Sequence, residues 1–582
     1  MAFASLAPIR QIYLSLARLF AHSKLAIVVS IGVEFLHVSR VIIGFQFAQA
    51  TAASYLSLHD YYARPVRRRS VAAHTGRIPT RDILTIMPAT PKDAAAIILL
   101  KDRTDPKVFW VKRSPKLQFM GGFHAFPGGQ LDKEDSSINV VGCDGEEALM
   151  RACAVREFFE ETGVLLARGA ERLSLERIAD KRRAMNESVK SFKQTLEEDA
   201  LEIACSDFQP AGRWVTPHFA PRRFDTWFFL AWMPYGQEAL IETGELETGE
   251  WIRPAEALGS WNRGEMIMAP PTLHIIRTLA AHANKLEELP SALTAIPEAQ
   301  HGMVRRIEFR PGIFLFPVRT PTLPPATHTN CYIIGGDELI VIDPASPYEE
   351  EQKELDVFID AMIAEGRRVR EIILTHYHPD HIGGAAHLRS RLGVPVAAHK
   401  LTADRISYAV EVDRLIEDND LIEIDGDPGW RLRALHTPGH TRGHLCFYEE
   451  ITGAIITGDL VVGIGTVVID PPEGNMRQYF DSLRRLLDLP KLSVLFPAHG
   501  PAIGSAREKI EEYVEHRTMR ENKILAAVQA GASLPHEIVE AAYTDVHPSM
   551  YGLAERSTVA HLEKLKEEGR ITRYDDGGYV VT

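Results

Sequence analysis

Two apolar runs separated by a polar turn begin the strongly patterned part of the chain. Residues 94–100 read Ala-Ala-Ala-Ile-Ile-Leu-Leu and residues 108–113 read Val-Phe-Trp-Val-Lys-Arg, with Thr104, Asp105 and Pro106 between them. Short runs rich in branched and aromatic residues around such a turn predict a β-hairpin. From about residue 146 to 166 the apolar spacing becomes helical. A second strand-rich block starts at Asn330, with apolar runs at 331–334, 339–342, 372–375, 432–435, 454–456 and 494–496 and a helix at about 349–365. Pro and Ala between 290 and 300 predict a linker. The tail predicts helices at about 519–530, 536–542 and 552–568, then a hairpin over 571–581 with its turn at 575–578.

Residues 1–87 follow another pattern. Apolar patches at 25–29 and 41–45 are interrupted by Glu34, His37 and Arg40. A charged residue at the centre of a spanning helix costs roughly 2.5–3.5 kcal/mol, so a transmembrane helix is disfavoured. Arg67, Arg68 and Arg69 follow in a stretch poor in acidic residues, which resembles an organelle transit segment. The favoured expectation is an extension without chemistry and a cytoplasmic protein. Organelle targeting or membrane association through residues 1–87 is the alternative.

Composition narrows the class. The chain has 582 residues, 45% hydrophobic and 25% charged, which fits several soluble-type domains. The net charge of -13 argues against a uniformly basic nucleic-acid-binding surface. The five cysteines, at 143, 153, 205, 331 and 446, form no CxxC pair and no evident disulfide frame, so a reducing compartment is expected.

The first chemical constellation lies between a glycine loop and the early helix. Ala125-Phe126-Pro127-Gly128-Gly129 is a tight loop, and Glu157, Glu160 and Glu161 stand at i, i+3 and i+4 behind Arg156. Their carboxylates share one helix face, as hard Mg²⁺ or Mn²⁺ ions require. The run Arg156-Glu157-Phe158-Phe159-Glu160-Glu161-Thr162-Gly163-Val164 resembles the second half of the Nudix hydrolase signature. In the first half Gly129 fits, the expected Glu falls at Asp135, and residues 136–147 form an insertion. Arg113-Ser114-Pro115-Lys116-Leu117 and Arg222-Arg223-Phe224-Asp225-Thr226 look like the coenzyme A diphosphatase branch. The resemblance implies an α/β/α sandwich over about 88–285. It also implies Mg²⁺ or Mn²⁺ held by Glu157, Glu160 and Glu161, with Arg156 orienting them.

The second constellation is a set of strand ends. His376, His378, Asp380 and His381 follow one apolar strand; His440, Asp459 and His499 follow three others. Imidazole and carboxylate ligands suit Zn²⁺, and their crowding calls for a cation. This order resembles the metallo-β-lactamase-fold signature. The resemblance implies an αββα sandwich over 300–518, His376, His378 and His440 on one metal, Asp380, His381 and His499 on a second, and Asp459 bridging. Asp380 is also a catalytic candidate. Asp343 is expected to orient the site, and His436 and His444 to serve supporting or core roles. Residues 519–582 form a winged-helix pattern that resembles the tail of a lactamase-B-like subgroup, whose members cut single-stranded RNA or hydrolyse small esters.

The expectation is therefore an α/β multi-domain, metal-dependent hydrolase with two Zn²⁺ and a Mg²⁺ or Mn²⁺ site. Its substrates would be a coenzyme A-like or nucleoside diphosphate-linked compound and an ester, thioester or phosphodiester. A single-stranded RNA endonuclease with a degenerate Nudix domain is the alternative, and the tail is expected to serve packing or homodimerisation.

Overall fold

The alternation along residues 92–101 places successive side chains on opposite faces of a sheet. In the computed structural model, which describes residues 89–582 except 118, 243, 305, 427, 428 and 576, this alternation decides the first layer. The targeting and membrane readings of residues 1–87 lie outside the described residues. All the described residues belong to one unit.

Strands β1 (Lys92–Lys101) and β2 (Lys107–Arg113) pair antiparallel, as the hairpin pattern predicts, with Leu99 opposite Phe109. Strands β3 (His124–Ala125), β4 (Gly128–Gln130), β5 (Gln209–Val215), β6 (Phe224–Trp232) and β7 (Leu246–Ile252) complete the sheet. The path runs β3-β2-β1-β6-β5, with β4 on β1 and β7 on β2. Ala95, Ile97 and Leu99 point to one face and pack against Phe158 and Phe159 of α1 (Gly145–Thr162). Ala96, Ile98 and Leu100 point to the other and pack against Trp261 and Leu273. This is the expected α/β/α sandwich.

The predicted linker is instead part of this layer. Residues Leu289–Leu293 are helical, and Leu289, Leu293 and Ala299 are buried against Ala211 and Trp214. Pro290 sits at a helix start, where its missing N–H costs nothing, so Pro and Ala marked a helix here and not a spacer. The cysteine expectation is corrected too. Cys143 and Cys205 form a disulfide across 62 residues, with Cα atoms 5.9 Å apart, beside the parallel pair of Val140–Val141 with Ile203–Ala204. Tertiary folding makes that pairing, so no local spacing announced it. The cysteine argument for a reducing compartment falls with it.

The second block forms two facing sheets. The seven-stranded one runs in order through β8 (Ile307–Arg310), β9 (Ile313–Arg319), β10 (His328–Gly335), β11 (Glu338–Ile342), β12 (Arg368–Leu374), β13 (Val396–Ala398) and β14 (Arg414–Leu415). The five-stranded one runs through β15 (Leu421–Ile424), β16 (Trp430–His436), β17 (Leu445–Glu449), β18 (Ala454–Gly458) and β19 (Val494–Pro497). Ile340, Ile342 and Ile373 meet Leu432, Phe447 and Phe496 between the sheets. Outside, Phe358 and Ile359 of α2 (Glu349–Ala364) cover one sheet, while Tyr479 and Phe480 of α3 (Met476–Leu487) cover the other. This is the expected αββα sandwich.

The two sandwiches share packing. Phe123 meets Phe309 edge to face at 5.6 Å, and Trp261 donates through Nε1 to the Phe309 carbonyl at 2.9 Å. Phe123 and Ile267 join the apolar cluster that fills the space between the metallo-domain sheets. At the chain crossing, a Cβ on Gly122 would lie 2.8 Å from the Gly504 carbonyl oxygen, so the two backbones touch there.

The first helix predicted for the tail begins earlier than 519. One helix, α4 (Ala506–Gln529), spans the expected boundary at 518/519. Its Ile510 and Tyr513 pack on the metallo layer, and its Ile524 and Val528 pack with α5 (Pro535–Ala542), α6 (Tyr551–Glu567) and the hairpin of β20 (Ile571–Arg573) and β21 (Tyr579–Val581). Among the described residues no helix is long and apolar enough to cross a membrane.

Phe123 is 1% exposed within the shared cluster. Phe123→Ala should cost about 3–5 kcal/mol, read as a fall in the urea midpoint; an unchanged midpoint would show that the shared packing carries no stability.

Candidate active sites

Four parallel or strand-terminal backbones converge at one edge of the two sheets. β12 is parallel to β11 and ends at Leu374, so Thr375 and His376 emerge beside Asp343, which follows β11. The segment after β16 brings His440, the end of β18 brings Asp459, and β19 brings His499. His378 caps the short helix Pro379–Ile382, which carries Asp380 and His381. That helix lies close to the strand end: a Cβ on Gly384 would meet the Pro344 carbonyl oxygen at 1.9 Å.

The structure thus brings together all seven residues expected from the sequence. His376, His378, His440 and Asp459 form one group whose ligand atoms lie within 4.8 Å of one another, and Asp380, His381 and His499 form a second. His378 Nδ1 is 3.0 Å from Nε2 of both His376 and His440. The two oxygens of Asp459 divide between the groups. Oδ2 faces His440 Nε2 at 3.6 Å and His376 Nε2 at 4.0 Å, whereas Oδ1 faces His499 at 3.4 Å and His381 at 3.5 Å. Asp380 Oδ2 is 3.5 Å from His499 Nε2.

Surrounding groups fix which imidazole nitrogen carries the proton. His440 Nδ1 donates to the Val468 carbonyl and His499 Nδ1 to the His328 carbonyl, each at 2.9 Å. His381 Nδ1 meets Asp343 Oδ2 at 2.8 Å. In each neutral ring this leaves the Nε2 lone pair facing the cluster. Asp343, held at φ 51, also accepts from the Thr375 amide and hydroxyl at 2.8 and 2.6 Å. His444 is fully buried; its Nε2 accepts from the Asp459 amide at 3.1 Å and its Nδ1 meets the Thr437 hydroxyl at 2.9 Å. Its supporting role is to hold Asp459. His436 lies outside the cluster, its ring stacked on His399 at 4.3 Å.

Burial keeps His376 well below the ordinary imidazole range. His378 is pushed down to about 3 by burial and by His440 beside it. Burial works against a proton on His381, but Asp459 and Asp343 outweigh it and hold that ring well above the usual value. His381 Nε2 and Asp459 Oδ1 are buried without a hydrogen-bond partner. An imidazole nitrogen and a carboxylate oxygen that converge without a hydrogen-bond partner are what a bound cation satisfies in place of the proton, so the residues fit divalent metals.

The first sandwich builds its site on α1. Glu161 Oε2 accepts from the Gly128 amide at 2.9 Å, and a Cβ on Gly129 would lie 2.4 Å from the Glu157 carboxylate. The Gly-Gly loop therefore lets the carboxylates reach the sheet. Arg156 bonds Asp135 through Nε and Nη2 at 2.6 and 2.9 Å, and reaches Glu157 at 3.0 Å and Glu160 at 3.1 Å. Asp135 is completely buried and caps its own 3-10 turn by accepting from Asp132 N at 2.9 Å. It anchors Arg156 and does not stand among the three glutamates. Burial and neighbouring carboxylates raise Glu157 to about 7 and Glu161 to about 8, although Arg156 works against the shift at Glu157 and the Gly128 amide against that at Glu161.

A cavity of about 340 Å³ opens over Glu157, Glu160 and Glu161, and the polar residues Arg182, Asn186, Glu242 and Glu245 stand beside Leu246 in its wall. Sequence reasoning missed these four. Arg182 closes α1 by donating to the Glu160 and Glu161 carbonyls at 2.9 and 2.6 Å. Glu242 and Glu245 sit in a loop, where spacing carries no signal.

Two layered sandwiches, each with buried acidic or imidazole donors at its edge, define a metal-dependent hydrolase. The model of the metallo-beta-lactamase superfamily matches residues 324–499, that of the NUDT19 Nudix domain residues 141–279, and that of the beta-lactamase associated winged helix domain residues 535–578. A Drosophila melanogaster protein described as beta-lactamase-like protein 2 homolog is 30% identical over 258 residues, 42% of this chain and 84% of that protein. The atrochrysone carboxyl ACP thioesterase of Passalora fulva is 30% identical over 259 residues, 44% of this chain and 69% of that protein. Among solved structures, a metallo-beta-lactamase family protein of Thermus thermophilus is 25% identical with a TM-score of 0.40, covering 47% of this chain and 99% of its own. A Nudix hydrolase of Alicyclobacillus acidocaldarius is 27% identical with a TM-score of 0.32, covering 36% of this chain and 99% of its own. The chain belongs to the metallo-beta-lactamase superfamily, with a Nudix domain before the lactamase fold and a winged helix after it.

Removing one partner of a buried ion pair strands the other charge. Asp135→Ala should lower unfolding stability by ~3–5 kcal/mol, measured by urea denaturation; a loss within ±0.5 kcal/mol of zero, as at an ordinary surface site, would remove the anchoring role of Asp135.

Proposed function

We propose that the chain is a bifunctional hydrolase that opens a thioester at the metallo site and a diphosphate at the Nudix site. An acyl-coenzyme A-like molecule, which carries both bonds, is the substrate class. The observation that carries the reading is the division of Asp459 between two imidazole groups, Oδ2 toward His376 and His440 and Oδ1 toward His381 and His499. His376, His378 and His440 would hold one Zn²⁺, Asp380, His381 and His499 a second, with Asp459 shared. Such ions supply a water of lowered pKa and stabilise negative charge on the attacked group. Asp380 and Asp459 would accept hydrogen bonds from the attacking water and so aim its lone pair, with one of the two taking the single proton that the water loses on attack. Asp343 and the carbonyls of Val468 and His328 keep the rings in the tautomers that face the cluster. At the other site Glu157, Glu160 and Glu161 would hold Mg²⁺ or Mn²⁺, with Arg156 fixed by Asp135. The name of the Passalora fulva relative, a thioesterase, supports thioester over phosphodiester.

The basic side chains of the tail are already engaged, which supports a packing role over RNA recognition. Lys564 pairs with Glu521 and Glu568, Lys566 with Glu563, Arg570 with Glu521, and Arg573 with Glu563. A nucleic-acid reader needs such groups free for phosphates.

Acyl-coenzyme A incubated with the full chain, Zn²⁺ and Mg²⁺ should release a free thiol and be cut at its diphosphate. His378→Ala should lose thiol release by roughly 10²-fold or more while keeping diphosphate cleavage, and Glu160→Gln should do the reverse. Intact acyl-coenzyme A after prolonged incubation of the wild type sinks the reading.

A further inference from the structure

Seventeen residues separate Gly458 from the first residue of α3, and no helix or strand lies within that stretch. It begins with Asp459 and contains Val468, whose carbonyl accepts the Nδ1 proton of His440. An irregular segment has no ladder of its own, so its backbone groups need partners from elsewhere. At residues 462, 467 and 469 the partners are side chains of the C-terminal helices. Tyr513 of α4 accepts from the Val462 amide at 3.1 Å and donates to the Val462 carbonyl at 2.9 Å. Arg517 of the same helix, 4% exposed, donates to the Val467 carbonyl and reaches the Thr466 hydroxyl at 3.3 Å. From α6, Ser557 Oγ accepts from the Ile469 amide at 3.4 Å, and Arg556 pairs with Asp470 at 3.1 Å. Val467 and Ile469 are buried in the cluster that also takes in Ala560 of α6.

These contacts fall on both sides of Val468. The Val467–Val468 peptide is tied to α4 through its carbonyl, and the Val468–Ile469 peptide, which carries the Val468 carbonyl, is tied to α6 through its amide; together they restrain that carbonyl from turning. We infer that the C-terminal module is a clamp on residues 466–470, and that Arg517 and Ser557 are positioning residues for His440. The consequence for the ring is direct. With its Nδ1 proton on Val468, His440 presents Nε2 to His378 at 3.0 Å and to Asp459 at 3.6 Å. If the carbonyl swings away, the ring loses the partner that selects this tautomer and this rotation. The inference rests on the metal reading above, in which His440 belongs to the His376 and His378 group.

The test is stepwise Zn²⁺ binding to the full chain, followed by competition with a chromophoric chelator. His440→Ala and His499→Ala identify which binding step belongs to which group. Arg517→Met, which keeps the apolar stem, should weaken the His440-dependent step by roughly 10–100-fold, the usual effect of losing an outer partner of a ligand. It should leave the His499-dependent step within about two-fold. Ser557→Ala should weaken the same step by a smaller factor, because it removes one longer bond, and it decides the matter if Arg517→Met loses its helical circular dichroism. Wild-type affinity at both steps in both variants overturns the clamp, as does weakening confined to the His499-dependent step. A wild-type chain that binds no Zn²⁺ instead overturns the metal reading itself, so the two failures are distinguishable.

Discussion

One buried carboxylate organises the metallo domain. Asp459 is 13% exposed at its side chain and lies between two sets of imidazoles, with one oxygen turned to each. Burial alone would push its proton affinity up, but His499 and His381 outweigh that and hold the carboxyl well below the usual range. A charge kept in such a place demands fixed partners. The fold supplies them by ending β12, β18 and β19 at one edge and by burying His444 beneath the Asp459 amide. The inter-sheet cluster of isoleucine, leucine and phenylalanine is thus what stops these strand ends from relaxing apart.

The Nudix site meets the same electrostatic difficulty with a different device. Its three glutamates lie on one helix face, where like charges repel. Arg156 partly offsets them, and it is itself fixed by a bidentate bond to Asp135. The short Asp side chain suits this, because the 3-10 turn at Lys133–Ser137 brings it against the guanidinium. The substitution that the signature flagged is therefore accommodated as an anchor. In both sites a group at one remove from the chemistry sets the orientation of the groups that face it.

The strand ends and the helix face were legible in the sequence for a common reason. His376, His378, Asp380 and His381 follow one apolar strand within a few positions, and Glu157, Glu160 and Glu161 sit one helical turn apart, so local periodicity projects them together. The Cys143–Cys205 bond, the burial of Leu289, Leu293 and Ala299, and the walls formed by Glu242 and Glu245 depend on segments far apart in the chain, for which periodicity has no projection. The start of the helix predicted at 519 was missed for a different reason. Helix α4 carries two apolar faces in succession, Ile510 and Tyr513 toward one layer and Ile524 and Val528 toward another. A helix that changes neighbours midway reads as two when only one stretch of its pattern is followed.

The division into ranges 88–285, 300–518 and 519–582 hides contacts of the same long-range kind. Two carbonyls, those of Val468 and His328, each take the proton of a ring facing the metallo cluster. Neither belongs to the inter-sheet core. Val468 lies in the segment gripped by α4 and α6, and the His328 ring packs against His218 and Phe219, from the stretch between β5 and β6 of the first sandwich, at 5.7 and 5.9 Å. The carbonyl that takes the His440 proton thus lies in a segment held by the helices that follow the lactamase fold, and the residue whose carbonyl takes the His499 proton packs its ring on the sandwich that precedes it. Three recognisable sequence families meet in this chain, but the geometry of its central site is a property of all three.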